Sequence, residues 1–324
     1  MARIAIATSG FIPWLAAAQQ LAIEHSVEPA ELDWLLLEVT DFDRLSLKFG
    51  SYERKSHLHC EWSLATLQSK WHQRIFDRVP VQYLVGRTPW RQFDLQVSPA
   101  VLIPRPETEC LIDHVEQFLK TSPSLAHGHW VDLGTGSGAI AIALADLMPH
   151  ASIHAVDTSA DALAIARANG ERLGFGHRIQ FYPGRWFEPL GHLKGSIAGM
   201  ISNPPYIPSQ EVLQLQPEVT IHEPHLALDG GEDGLNCLRH LIEVAPEYLS
   251  PAGLWMVEMM QGQMETIVPL LDHAGYTHIE RLRDLEGVDR FAMALTPRNE
   301  NLIPSIIHPA IEIASTQTKS TYVD

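Results

Sequence analysis

The chain has 324 residues, 45% hydrophobic and 19% charged, a composition typical of a globular protein of about two domains. Its formal net charge of −16 argues against stable binding to nucleic acid, which needs clustered Lys and Arg. The three cysteines, Cys60, Cys110 and Cys237, are far apart and indicate a reducing compartment rather than a disulfide framework. Since neither a secretory signal nor a membrane-spanning apolar run is recognised, we expect a cytoplasmic protein without membrane contact.

The first 80 residues are predicted to form a small helical domain. Apolar residues recur at helical spacing in three segments, and no strand pattern interrupts them. The three faces comprise Trp14, Ala18, Leu21 and Ala22; Leu32, Leu35, Leu36 and Val39; and Leu64, Leu67, Trp71 and Ile75. Such a domain either has a structural role or positions a macromolecular substrate, and both roles stay open.

Residues 81–106 are predicted to be a β-hairpin linker. Two short stretches with strand character, at 81–85 and 90–97, are separated by Gly86 and Pro89.

The following segment, 102–109, contains two prolines and ends at the start of a predicted helix. It is interpreted equally well as a linker or as the rigid edge of an active-site cleft. Thr108 is a candidate helix N-cap, with Glu107 as the alternative.

A glycine-rich turn then joins a predicted strand at 129–133 to a predicted helix at 139–148. It consists of Gly134, Thr135, Gly136, Ser137 and Gly138. The glycines let a ligand approach the backbone, and the helix N-terminus offers free N–H groups to an anionic group. The G-x-G-x-G spacing without a following Lys disfavours dinucleotides and nucleoside triphosphates.

Two later strand ends carry candidate ligand contacts. Asp157 follows a strand at 152–156, where a carboxylate can accept hydrogen bonds from two ribose hydroxyls. Its alternative role is a helix N-cap, for which Ser159 is better placed. A third strand, 179–182, leads to Trp186, which packs either on an adenine face or in the core.

The fourth strand, 197–202, stops at Asn203, Pro204, Pro205 and Tyr206. The prolines end the strand and restrict the residue before them, so a rigid corner results. A planar NH2 group can donate to the Asn203 side-chain oxygen and the Pro204 carbonyl while Tyr206 lies against its plane. The nitrogen lone pair then faces an electrophile, although taken alone the corner is also an ordinary proline-rich turn.

The remainder is predicted to complete an α/β domain. Residues 207–228 are expected to be a long loop that forms a wall of the target site. Helices are predicted at 234–249 and 262–274, strands at 254–258, 276–282 and 290–295, and a tail at 298–324.

Five motifs in this order resemble the class I S-adenosylmethionine (SAM) methyltransferases, and among them the protein-(glutamine-N5) methyltransferases of peptide chain release factors (the HemK/PrmC family). The motifs lie at 80–86, 104–109, 132–138, 203–207 and 223–231. The resemblance covers about residues 11–297. It implies transfer of a methyl group from SAM to the side-chain amide nitrogen N5 of the glutamine in a Gly-Gly-Gln motif, with S-adenosylhomocysteine as product and release factors as protein partners.

The resemblance also implies a fold and an organisation. The fold is a Rossmann-like α/β methyltransferase domain with a mostly parallel seven-stranded sheet and a C-terminal antiparallel strand. This domain spans 107–297 and follows the helical domain (1–80) and the hairpin linker (81–106), with a flexible tail at 298–324.

Site roles follow from the resemblance residue by residue. Gly134 to Gly138 pass close to the methionine part of SAM, Asp157 holds the ribose hydroxyls and Trp186 lines the adenine pocket. Asn203 sits between cofactor and target. The residues implied to grip the glutamine amide are Asn203, Pro204, Pro205 and Tyr206, of which Asn203, Pro204 and Tyr206 are implied to be catalytic.

Two positions depart from the family pattern. Arg185 stands where the family commonly has an acidic residue before the tryptophan, which puts an acidic contact to the adenine amino group in doubt. Glu258 is followed by Met259 and Met260 where the family often has Ile and Gly.

Three alternatives remain beside this function: glutamine methylation of a ribosomal protein, methylation of an exocyclic amine in DNA or RNA, and a non-catalytic SAM-binding scaffold. The acidic composition opposes nucleic-acid binding. The closest histidine pairs, His57 with His59 and His127 with His129, lack the companions of a metal motif, so no metal is expected.

Overall fold

The computed structural model describes residues 3–297. Its N-terminal part contains helices α1 (Thr8–Glu24), α2 (Pro29–Val39), α3 (Arg44–Phe49), α4 (Leu64–Phe76) and α5 (Val81–Val85). The three predicted helical faces lie on α1, α2 and α4, and their residues join one apolar cluster. The helices predicted from these faces are therefore confirmed.

The N-terminal part also contains a two-stranded antiparallel sheet of β1 (Ile4–Ala7) and β2 (His57–Cys60). The expectation that no strand interrupts the helices is wrong here. Strand β2 alternates two exposed histidines with buried Leu58 and Cys60. An alternation of only four residues is too short to distinguish from a loop in the sequence.

The predicted strand at 81–85 is also wrong, because these residues form helix α5. The hairpin lies just beyond it and consists of β3 (Arg87–Trp90) and β4 (Phe93–Gln96). Gly86 has a φ of 80° and ends α5 as its left-handed C-cap. The glycine therefore marks a helix end rather than the turn between two strands.

A seven-stranded sheet forms the centre of the C-terminal part. Its strands are β5 (His129–Leu133), β6 (Ser152–Asp157), β7 (Ile179–Pro183), β8 (Ile197–Ser202), β9 (Leu249–Glu258), β10 (Thr277–Arg283) and β11 (Asp289–Leu295). Their order is β10-β11-β9-β8-β5-β6-β7. Strands β5 to β9 pair in parallel, and β11 runs antiparallel to both of its neighbours. This sheet confirms the predicted fold class.

Helices cover both faces of this sheet, as a buried parallel sheet requires. One apolar cluster joins the strands to α6 (Glu109–Thr121) and α7 (Ala139–Leu147), and it includes the hairpin residues Trp90 and Phe93. The opposite cluster joins the strands to α11 (Asn236–Tyr248) and α12 (Met264–His273). Helix α8 (Ala160–Arg172) packs along β6 and β7.

Residues 207–228, predicted to be a long loop, contain short helices instead. These are α9 (Ser209–Val212) and α10 (Pro217–His222), followed by a 3-10 turn at His225–Ala227. Pro217 occupies the first position of α10, where its missing N–H costs nothing. One or two helical turns are too short to produce a periodic apolar pattern, which is why the sequence did not reveal them.

Helix α10 also contacts the N-terminal part. The Glu218 carboxylate lies 2.7 Å from Arg74 and 2.6 Å from Arg78. The His222 ring lies 2.7 Å from the carbonyl oxygen of Asp77. Segment 207–228 is thereby tied to helix α4 and the residues that follow it.

No helix of the described range, 3–297, is long and apolar enough to cross a membrane. The predicted tail at 298–324 lies outside the described residues.

Candidate active site

The glycine-rich turn and the Asn-Pro-Pro-Tyr corner begin at adjacent strand ends. Strands β5 and β8 are parallel neighbours at the point where the strand order reverses direction. The Ser202 hydroxyl donates a 2.6 Å hydrogen bond to the Leu133 carbonyl and joins the two ends. Ligands of open α/β sheets bind at such a switch point, outside the carboxyl ends of the strands.

A cavity of about 690 Å³ opens at this edge, within the usual range of small-molecule sites, roughly 300–1,000 Å³. It brings together most of the site residues predicted from the sequence: Gly134, Thr135, Gly136, Ser137, Asp157, Trp186, Asn203 and Pro205. Gly138, Pro204 and Tyr206 do not line it. Residues of the segment 207–228, which was expected to form a wall of the target site, also line it, whereas Val101, Asn236 and Cys237 were assigned no contact from the sequence.

The glycine-rich turn has the backbone conformation that only glycine adopts readily. Gly134, Gly136 and Gly138 have φ angles of 77°, 53° and 84°. A Cβ at Gly136 would meet no atom within 4 Å, whereas one at Gly138 would lie 3.1 Å from the Cβ of Ala166. Gly136 thus leaves open space for a ligand, and Gly138 serves the packing of the turn on α8.

Asp132, at the end of β5, holds this turn from beneath and was not predicted to do so. Its Oδ2 accepts hydrogen bonds from the Thr135 hydroxyl at 2.5 Å and from the Ala141 amide at 3.0 Å. The carboxyl group is fully buried, and burial raises its pKa to about 7. Its position two residues before the first glycine was the one available sequence signal.

Asp157 stands across the turn at the end of β6. Its Oδ2 accepts from the Gly136 amide and its Oδ1 from the Ser159 amide, both at 2.9 Å. A carboxylate oxygen has two lone pairs, so each keeps an acceptor position for a ligand hydroxyl. Ser159 caps α8 by accepting from the Ala162 amide, which confirms that Asp157 is not needed as that cap.

Trp186 forms another wall of the cavity. A Cβ at Gly134 would lie 3.6 Å from its ring, so the indole lies against the glycine-rich turn. The Trp186 side chain is buried, and the backbone of this residue has a φ of 51°, which is unusual for a bulky residue. Arg185 beside it is exposed and also lines the cavity, so a cation stands at the position where the resemblance would commonly place an acidic residue.

The Asn203 side chain is oriented by a residue far away in sequence. Its Nδ2 donates a 3.2 Å hydrogen bond to the Thr108 hydroxyl. Within residues 3–297 no group donates to the Pro204 carbonyl. The Asn203 Oδ1 therefore has no donor among the described residues at a position that lines the cavity, whereas Pro204 is buried and its carbonyl remains a predicted acceptor.

Thr108 and Tyr206 meet on one buried carboxylate, Glu258 at the end of β9. The Thr108 hydroxyl donates to Glu258 Oε2 at 2.7 Å, and the Tyr206 hydroxyl donates to Oε1 at 2.9 Å. Thr108 is thus not an N-cap through its side chain, as the sequence suggested, because its hydroxyl is used at Glu258. Burial raises the pKa of Glu258 to about 7, and the Glu107 charge adds to this.

The rim of the cavity is closed by an ion pair between two segments. Arg105 lines the cavity and lies 2.6 Å from Glu223, whose side chain is 1% exposed. The Arg105 carbonyl accepts from the Trp90 indole at 2.9 Å. Segment 102–109 is therefore a cleft edge, the second of its two sequence interpretations.

Comparison with known proteins agrees with this geometry. The family model described as "Methyltransferase small domain" matches residues 108–220. A release factor glutamine methyltransferase of Synechocystis is 52% identical over 289 residues, which are 88% of this chain and 96% of the relative. One of Thermosynechococcus vestitus is 49% identical over 82% of this chain and 91% of the relative.

Among solved structures, the hMettl16 catalytic domain in complex with MAT2A 3′UTR hairpin 6 aligns with a TM-score of 0.52 and 11% sequence identity. The alignment covers 83% of this chain and 91% of that one. At this identity the match shows the fold alone.

Proposed function

The chain belongs to the release factor glutamine methyltransferase family, and we propose that it transfers a methyl group from SAM to the side-chain amide nitrogen N5 of a release factor glutamine. The target residue is the glutamine of the Gly-Gly-Gln motif. The observation that carries the proposal is the Asn203 amide, which is held through its Nδ2 beside the glycine-rich turn.

The described residues suit SAM. The open space at Gly136 accommodates its methionine part, the remaining acceptor positions of Asp157 suit the ribose hydroxyls, and Trp186 offers an aromatic wall to the adenine. When bound, SAM supplies a methyl group on a positively charged sulfur. The Arg185 guanidinium only donates hydrogen bonds, so this side chain offers no acceptor to the adenine amino group.

The corner at Asn203 and Pro204 would prepare the substrate nitrogen. A carboxamide nitrogen is a poor nucleophile because its lone pair is delocalised into the carbonyl. Two acceptor oxygens at its N–H groups fix its direction, and positioning of this kind can supply about 7 kcal/mol of a barrier. As positive charge develops on the nitrogen, the same oxygens stabilise the transition state more than the ground state.

Tyr206 is proposed to form the adjoining wall of the glutamine site. Its hydroxyl is bound to Glu258 and its carbonyl accepts from the Gln263 amide at 2.8 Å, so its side chain and backbone are both held. The methylated nitrogen then loses one proton to water, and no side chain is needed as a dedicated base.

We also propose that residues 1–80 form a domain that positions the protein substrate, that 81–106 link it to the methyltransferase domain at 107–297, and that the enzyme acts in the cytoplasm. The ion pairs of Glu218 with Arg74 and Arg78 support a coupling between the helical part and the segment beside the cavity.

The test is incubation of the purified protein with radiolabelled SAM and one of four acceptors: an intact bacterial release factor, the same factor with its Gly-Gly-Gln glutamine changed to alanine, a large-subunit ribosomal protein mixture, or DNA. Label in the intact factor alone supports the proposal. Label in a ribosomal protein or in DNA contradicts the substrate assignment, and SAM binding without label in any acceptor contradicts the proposed transfer.

A further inference from the structure

We propose that Glu258 is a positioning residue that acts through Thr108 to set which end of the Asn203 amide faces the substrate. The inference rests on the proposed role of Asn203 and names two further residues that this role depends on.

The geometry is a continuous chain of hydrogen bonds. Asn203 Nδ2 lies 3.2 Å from Thr108 Oγ1, which lies 2.7 Å from Glu258 Oε2. Thr108 and Glu258 are buried, with 4% and 0% of their surface exposed, so water does not compete for these bonds. This series of hydrogen bonds connects the end of β9, through the start of α6, to the end of β8.

The direction of this chain follows from what each group can donate. When Glu258 is ionised, as it mostly is above its pKa of about 7, its carboxylate only accepts, so the Thr108 hydroxyl hydrogen must point at Glu258. The threonine oxygen then has only lone pairs to offer to Asn203. Asn203 must therefore present its NH2 group to Thr108 and turn its Oδ1 the other way, as an acceptor for the glutamine N–H.

The oxygen and the NH2 group of the asparagine amide have similar shapes. Without the hydrogen bond to Thr108, either group could occupy the position that faces the substrate. A flipped amide would present its NH2 group to the NH2 group of the glutamine, two donors face to face. The charge on Glu258 thus selects the one orientation in which the corner accepts.

The same carboxylate also orients the opposite side of the corner. Tyr206 donates its hydroxyl hydrogen to Glu258 Oε1 at 2.9 Å. Burial and the Glu258 charge hold the pKa of Tyr206 well above its usual value, so the phenol stays a donor. Both Asn203 and Tyr206 therefore take their orientation from one group.

Protonation of Glu258 would allow the donors and acceptors in this series of hydrogen bonds to reverse. A carboxylic acid can donate to Thr108, which could then donate to Asn203 Oδ1 and reverse the chain. The charged and titratable groups that influence Glu258 are Glu107, which favours its protonation, and Arg290, which opposes it, besides Tyr206. Since burial raises the pKa of Glu258 to about 7, the methylation rate should rise with pH through neutrality.

The test compares Glu258→Gln, Thr108→Val and Thr108→Ser in the full-length enzyme with saturating SAM and release factor. Glu258→Gln and Thr108→Val should each lower kcat about 10-fold or more, equivalent to about 1.4 kcal/mol or more of barrier. The Kd for SAM should change less than about 2-fold in both, because neither group is assigned a cofactor contact. Thr108→Ser, which keeps the hydroxyl, should retain kcat within about 3-fold.

Two readouts separate positioning from a merely structural role. The rise of kcat with pH near 7 should disappear in Glu258→Gln. The double variant Thr108→Val with Glu258→Gln should be no slower than the slower single variant, because both changes break one chain. Full activity in either single variant, or an equal loss in Thr108→Ser and Thr108→Val, would overturn the proposal.

A third readout does not depend on the substrate. In 15N-labelled protein the Asn203 side-chain NH2 signals, assigned by their loss in Asn203→Ala, should exchange slowly with water and become fast in Thr108→Val. If the wild-type enzyme methylates no release factor but this protection is present, the proposed function fails while the positioning stands. Fast exchange in the wild type would contradict the positioning itself.

Discussion

The Ser202 hydroxyl donates a 2.6 Å hydrogen bond to the backbone carbonyl of Leu133, and it joins the two strand ends that lead to the candidate site. Gly134 follows Leu133 and begins the turn assigned to the cofactor. Asn203 follows Ser202 and begins the corner assigned to the substrate. Because the two strands are parallel neighbours at the switch point of the sheet, the groups to be brought into reaction leave from the same edge.

Replacement of Asn203 should separate catalysis from cofactor binding. We expect Asn203→Ala to lower the methylation rate about 100-fold or more, because one of two preorganised acceptors at the reacting nitrogen is lost. The Kd for SAM, measured by calorimetry, should change much less. Equal losses in rate and in SAM affinity would contradict the assigned role.

Replacement of Asp157 should have the opposite profile. Asp157→Ala removes the proposed acceptor of the ribose hydroxyls and frees the Gly136 amide, so the Kd for SAM should rise about 10-fold or more, about 1.4 kcal/mol. The control is Asp161→Ala, which removes an exposed carboxylate from the first turn of α8. A Kd within about 2-fold of the wild type in Asp157→Ala would refute the ribose assignment.

Loss of Glu218 should loosen the segment beside the cavity. The Arg74 side chain is 3% exposed and is paired with Glu31 and Glu218. Glu218→Ala leaves this buried cation with one partner, and we expect the free energy of unfolding to fall by about 2–4 kcal/mol. Hydrogen exchange of residues 208–228 should also accelerate.

The matched control for this variant is Glu247→Ala. Glu247 pairs with Lys194 at 2.8 Å, and both side chains are about half exposed. Solvent screens such an exposed pair, so its loss should leave the free energy of unfolding almost unchanged. A similar loss of stability in the two variants would argue against a specific link through Glu218.

Two glycines give a paired test of packing in the sheet. A Cβ at Gly199 on β8 would overlap the buried Trp130 ring, whereas a Cβ at Gly191 meets nothing within 4 Å. Gly199→Ala should therefore destabilise the protein by about 1–3 kcal/mol, and Gly191→Ala should be close to neutral. Urea unfolding measures both, and equal stability of the two variants would show that β8 adjusts freely around Trp130.

His154 should make stability fall on acidification. Burial, with the charges of His129 and His192, lowers its folded-state pKa to about 4, while the unfolded side chain titrates near 6.5. Between these values the unfolded state binds more protons, so stability is lost as pH falls through that window. The contribution at pH 5 is on the order of 1–2 kcal/mol.

Two buried carboxyl groups change the free energy of unfolding with pH in the opposite direction, so the measurement requires a control. Asp132 and Glu258 have pKa values raised to about 7, so the folded state binds more protons as pH falls from 7 toward 4. Comparing the pH dependence of unfolding in His154→Gln with that of the wild type isolates the histidine. Parallel curves for the two proteins would show that His154 does not contribute.

The sequence by itself determined the fold class and the two strand ends of the site. Strands β5, β6 and β8 are largely buried and mostly apolar. Strand β5 is followed by glycine, β6 ends at Asp157, and β8 is followed by Asn203 and two prolines. These signals are local, and residues adjacent in the chain carry them. Asn203, the glycine-rich turn and Asp157 could be selected for that reason.

Only the tertiary structure decided what holds these residues in place. Thr108 is 95 residues from Asn203 and 150 from Glu258, and a hydrogen bond over such separations leaves no periodic trace in the chain. Short elements were also mispredicted from the sequence. The five residues of α5 fit a strand and a helix equally well until their packing is known. Periodicity reports which face of an element is buried, but the partner that a buried polar group finds depends on where the fold brings distant strand ends together.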